Sequence, residues 1–151
     1  MSKVKLIEPG DVVSDADVLW IYNGIKDRSL PKAAWTHGGH LCGAVGILCD
    51  IGLERAEHTM PDLIRRYNEA TGVQNTESDG YHHTVTLFYL RAINRFLAGK
   101  IEQSIGEIAT AVLASSIADK AFLQKYYSHE RLFSVEARKN WVEPDILALD
   151  I

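Results

Sequence analysis

Three histidines stand out by where they fall. His37 and His40 lie three residues apart in Trp35-Thr36-His37-Gly38-Gly39-His40-Leu41, inside a stretch whose apolar periodicity predicts a helix. His82 opens a second such stretch, Gly80-Tyr81-His82-His83-Thr84-Val85-Thr86. A neutral imidazole offers a lone pair near neutral pH and suits a divalent transition metal. Adjacent turns of one helix can present two rings to one ion, and a facing helix can add a third. Three neutral ligands leave positions for water, dioxygen or substrate, the pattern of a catalytic rather than a closed structural site. His37, His40 and His82 are therefore the expected metal ligands. Hydrogen-bonded core histidines are the competing reading, because H-x-x-H alone is a weak pattern.

The neighbours of these histidines carry the rest of the expected chemistry. Tyr81, Thr84 and Thr86 are the expected catalytic groups, placed with Thr36 beside the histidines to orient the rings or hold a bound water; helix capping is their ordinary alternative. Trp35 and Tyr81 offer a flat wall for an aromatic substrate, against a plain packing role. Arg138, like Arg65, Arg66 and Arg131, can clamp a carboxylate or pair at the surface. Glu54, Glu57 and His58 are reserve ligands or surface residues. His83 lies 100° from His82 on a helical wheel, so both cannot address the same point. No P-loop, no G-x-G-x-x-G after a strand, no G-x-S-x-G and no C-x-x-C is present, which leaves those cofactor and nucleophile classes without support.

The elements that must position these groups read as helices. Ser14, Asp15 and Asp17 start a first helix over 16–25. Pro31 suits the first position of a second, over 31–51, whose inward sector holds Ala33, His37, His40, Leu41, Ala44, Ile47, Leu48 and Ile51. Gly38, Gly39, Gly43 and Gly46 weaken that helix and leave room for a neighbouring helix or a ligand. Gly52 closes or bends it, residues 53–58 connect, and a third helix covers 61–70. A polar loop, 71–80, leads to a fourth over 81–98, with Val85, Tyr89, Leu90, Ala92, Ile93, Phe96 and Leu97 on one face. A fifth spans 101–117, and 119–127 continues it or forms a short helix. Ser128 or Ser134 caps a last short helix before an irregular tail. A short extended lead-in, 1–13, precedes all of these. The expected architecture is all-α, one domain, an irregular bundle of five or six helices.

Composition narrows the partners. At 151 residues and a net charge of −4, the chain has no basic face for nucleic acid. It has no apolar stretch suited to a membrane span and no signal-peptide run at its N-terminus. Cys42 and Cys49 sit two turns apart on one helix, too far for a disulfide with each other, and read as reduced core fillers. A cytoplasmic protein is expected, with a homodimer as the base-rate assembly.

The motifs taken together resemble a family of small bacterial helical proteins. The match runs through Trp35-Thr36-His37-x-x-His40-Leu41, Arg66-Tyr67-Asn68 and Gly80-Tyr81-His82-x-Thr84-x-Thr86. It continues in Tyr127-Ser128, Arg131-Leu132-Phe133-Ser134, Glu136-Ala137-Arg138 and Glu143-Pro144-Asp145, covering most of residues 30–147. The chain is also similar to the iron-dependent indole-ring-expanding oxygenases of thiopeptide antibiotic biosynthesis. That resemblance implies an Fe(II) ion at His37, His40 and His82, with His83 at a variable position, and oxidation of an indole-type ketone or amine by dioxygen. The expected function is thus a mononuclear non-haem iron oxygenase acting on a small aromatic molecule. A zinc or nickel hydrolase or transferase, and a non-catalytic helical binding protein, are the alternatives.

Overall fold

The computed structural model describes residues 5–100 and 102–149. Among these, six α-helices and three 3-10 turns form an irregular bundle with no strand, as the periodicity predicts. The helices are α1 (Asp15–Lys26), α2 (His37–Ala70), α3 (His83–Leu97), α4 (Ile105–Ala114), α5 (His129–Leu132) and α6 (Val135–Lys139). The first four residues of the lead-in, Ile101 at the expected start of the fifth helix, and the last two residues of the tail lie outside the described residues. No helix among the described residues is long and apolar enough to cross a membrane.

The first half of α2, residues 37–51, runs through the centre. Its residues from Gly38 to Gly39 and from Leu41 to Leu48 are all buried, as expected of a helix packed on every side. It packs against α1, α3 and α4. The glycines make this closeness possible rather than opening space for a ligand. A Cβ at Gly38 would collide with the Ile7 carbonyl, one at Gly46 would sit 2.8 Å from the Tyr22 Cβ, and one at Gly43 would touch the Trp35 ring at 3.4 Å. Cys42 is buried in this packing, whereas Cys49 is exposed and fills no core position.

Several boundaries differ from the sequence reading, each through capping chemistry. The helix expected from Pro31 begins at His37, because Thr36 is its cap: the Gly39 N–H donates to Thr36 Oγ1 at 3.0 Å. Residues Lys32–Ala34 form a separate 3-10 turn. The expected connector at 53–58 is helical. Gly52 alone makes the corner, with φ 79° and ψ 170°, a conformation that residues other than glycine rarely adopt, and the helix resumes at once with Pro61 inside it. The fifth helix is shorter than expected, since Ser104 and Glu107 form a capping box at its start and Ser115 turns extended at its end. Ser128 and Ser134 cap one short helix each.

The C-terminal segment fastens to the start of α3. Thr84 is fully buried, and its Oγ1 donates to the Asn140 carbonyl at 2.7 Å and accepts from the Val142 N–H at 3.2 Å. Tyr127 Oη donates to the Val142 carbonyl at 2.7 Å. The lead-in is held from the other side, where Ile7 is fully buried and accepts from Thr36 Oγ1 at 2.6 Å.

Candidate functional site

His37 and His40 sit in the first turn of α2, beside a cavity of about 390 Å³ lined by both halves of α2 and by α3. That volume lies in the range of small-molecule sites. Leu41, Met60, Ile64 and Leu90 supply an apolar lining, and Thr86 and Tyr89 face it from α3. Tyr89 meets His37 edge-on, with ring centroids 5.9 Å apart. Burial pushes the Tyr89 phenol up to about 12, so it is neutral at physiological pH.

Backbone carbonyls fix the two imidazoles. His37 Nε2 donates to the Ala118 carbonyl at 3.2 Å, and His40 Nδ1 donates to the Thr36 carbonyl at 2.7 Å. A carbonyl only accepts, so each contact places a proton on that nitrogen, and in His40, whose ring stays neutral, Nε2 is left as an acceptor. No described residue bonds to the second nitrogen in either ring. His40 also stacks on Trp35, with ring centroids 3.7 Å apart. The His40 pKa is pushed down to about 4, chiefly by desolvation; the Thr36 carbonyl opposes the shift and the His37 ring adds to it. By area His40 counts as exposed. Its ring borders both spaces while protein atoms crowd its other side, and that crowding is the source of the desolvation.

His82 is held differently. It is the N-cap of α3, its Nδ1 accepting from the Val85 N–H at 3.2 Å, while its Nε2 donates to the Leu132 carbonyl at 2.6 Å. Both ring nitrogens are spent on the main chain, and burial lowers its pKa. It borders a second, adjoining space rather than the His37 cavity. The expected convergence of three imidazoles is therefore not formed, and among the described residues no three His, Cys, Asp or Glu side chains are grouped as a metal requires. The physical reason is local: a helix that begins at His83 makes His82 its cap, not an interior residue facing the core.

The donor chemistry fits a metal on two histidines only. Metal-bound histidines characteristically give their other N–H to a carbonyl or carboxylate. His37 and His40 meet that condition with one lone pair each, and His82 has none to give.

The remaining expected residues separate. Thr86 lines both spaces, and its hydroxyl donates to the His82 carbonyl at 2.9 Å. Thr84 is buried in the C-terminal fastening and borders neither space, so its expected catalytic part has no access to a ligand there. Tyr81 Oη and His83 Nδ1 share a hydrogen bond of 2.8 Å, beneath the Arg65 guanidinium. Trp35 lines the second space. Arg138 lies outside both, where it bonds the Gly80 and Tyr81 carbonyls at 3.1 and 3.4 Å. Of the reserve ligands, Glu57 pairs with Arg91 at 2.9 Å, and His58 Nδ1 donates to the Glu54 carbonyl at 2.8 Å in an exposed position. Sequence reasoning missed Met60, Tyr89 and Asn68. The signal for Asn68 was a polar residue at an inward position of an otherwise amphipathic helix.

No family model, curated protein or solved structure matches this chain.

Proposed function

We propose that this chain takes a small, flat, uncharged aromatic molecule into the cavity beside His37 and His40. The observation that carries the reading is the pairing of an apolar space of about 390 Å³ with two carbonyl-anchored imidazoles on one wall, of which His40 stays neutral. Apolar walls supply the affinity, and a few fixed polar groups set the orientation. Calorimetric titration of indole into wild-type protein and into Ala44→Phe, which fills the cavity, tests it. Micromolar to millimolar binding that Ala44→Phe removes supports the reading. Equal heats in both proteins, or none in either, overturn it.

A second reading makes the site an iron-dependent oxidising enzyme. It is favoured by the carbonyl-anchored pair, since His37 and His40 each keep one nitrogen for a metal. Those two residues would hold it, and a bound divalent metal supplies Lewis acidity at the substrate. Iron(II) titration under anaerobic conditions tests this. Uptake lost in both His37→Ala and His40→Ala but kept in His82→Ala supports it, and no uptake by the wild-type protein excludes it.

A further inference from the structure

The second space, about 250 Å³, shares His40, Ile64, Val85 and Thr86 with the first. The His40–Trp35 stack thus lies where two lobes of one site meet. The lobes differ in chemistry. The first is largely apolar. The second adds Asn68, Tyr81 and His82, and no Lys, Arg, Asp or Glu lines it. The cationic side chains nearby, Arg65, Arg138 and Lys139, border a separate outer pocket instead.

The amide network of the second lobe has a fixed sense. Asn75 Oδ1 accepts from the Tyr81 main-chain N–H at 3.0 Å, and Asn75 Nδ2 donates to the Arg65 carbonyl at 3.1 Å. Asn75 Oδ1 is therefore an oxygen, and Asn68 must present Nδ2 to it, at 3.0 Å. Asn68 Oδ1 is left as an acceptor with no hydrogen-bond partner among the described residues. His40, which also lines this lobe, has Nε2 as a second acceptor without a hydrogen-bond partner among the described residues.

We infer that the ligand spans both lobes and carries an uncharged hydrogen-bond donor, a hydroxyl or a primary amide, on an arm reaching from the ring in the first lobe to Asn68 in the second. This rests on the reading of the first lobe given above. A carboxylate on the same arm would meet two acceptors and no cation in the second lobe, and a buried unpaired charge is strongly disfavoured.

Titration of 3-methylindole, indole-3-ethanol and indole-3-acetate separates the inference from the reading beneath it. The alcohol is expected to bind about tenfold tighter than 3-methylindole, and the carboxylate more weakly than either. Asn68→Leu removes the acceptor, and Val73→Phe fills the second lobe without entering the first. Each should cancel the alcohol's advantage while leaving 3-methylindole unchanged. Val73→Phe keeps the test open should Asn68→Leu fail to fold. If 3-methylindole binds and the alcohol gains nothing, or if the carboxylate binds best, the two-lobe inference fails alone. If none of the three binds, the reading of the first lobe fails with it.

Discussion

His40 lies face to face with Trp35, their ring centroids 3.7 Å apart and their planes 28° from parallel. Trp35 in turn meets Tyr67 edge-on at 5.7 Å, so the first turn of α2 is tied to its second half through a chain of rings. A charged imidazole in this stack would lose its hydration without gaining a carboxylate partner, and this is why the ring stays neutral.

That neutrality has a measurable pH signature. Folded His40 titrates near 4 and an unfolded histidine near 6.5, so the unfolded chain binds more protons between those values. Stability is full above about pH 6.5 and falls as pH drops toward 4. Urea unfolding at pH 7.5, 6 and 5 is expected to show declining stability. His40→Asn, whose amide nitrogen can replace Nδ1 toward the Thr36 carbonyl, should reduce the slope. Part of it will persist, since burial lowers the His82 pKa in the same direction. An unchanged slope in His40→Asn contradicts this assignment.

His82 is a cap and a tie, and its substitutions should behave accordingly. His82→Ala loses an N-cap and a bond to the Leu132 carbonyl, together costing about 2 kcal/mol. His82→Asn restores the cap and should recover about half of that loss. Chemical denaturation reads the energies. Hydrogen exchange should show faster opening around residues 128–140 in His82→Ala than in the wild type. Equal loss in both variants would contradict the capping role.

Thr84 offers a sharper contrast between structure and chemistry. Thr84→Val keeps the shape but strands the Asn140 carbonyl and the Val142 N–H inside the protein, at a cost of about 2–4 kcal/mol. Thr84→Ser keeps both bonds and should lose only the packing of one methyl group. Thermal unfolding and limited proteolysis of the C-terminal segment check this. Near-wild-type stability of Thr84→Val would show that the fastening bears little of the fold's free energy.

Gly80 shapes the floor of the second lobe. Its φ is +81°, and a Cβ there would meet the Gln74 carbonyl and the Asn75 side chain. Gly80→Ala combines backbone strain with a clash, so a loss of about 1–3 kcal/mol is expected in urea unfolding. A neutral effect would show that the 71–80 loop rearranges freely.

How far the sequence revealed this arrangement depended on which physics governed each stretch. The apolar spacing of Leu41, Ala44 and Leu48 read directly as a buried helix face, and His37 and His40 followed onto the cavity wall because i and i+3 share a face. Helix starts were less legible. Thr36 and His82 both serve as caps, and wheels begun at Pro31 and at Tyr81 take each for an interior position. The periodicity alone makes His82 an inward ligand, whereas its ring closes the N-terminal end of α3. Pro61 misled in the opposite direction: it suits a first turn, yet Gly52 had already made the corner nine residues earlier. Asn68 and Asn75 meet only because the 71–80 loop folds back, a tertiary pairing that no local pattern encodes.

Two-dimensional amide and imidazole NMR during an indole titration reads out whether a flat uncharged aromatic molecule binds beside His37 and His40. Binding there gives saturable shifts confined to residues around the cavity, with His37, His40, Met60, Thr86 and Tyr89 among them, and leaves His40 Nε2 unprotonated at pH 7 throughout. Saturable shifts centred on another surface, or no shifts at millimolar indole, would contradict it.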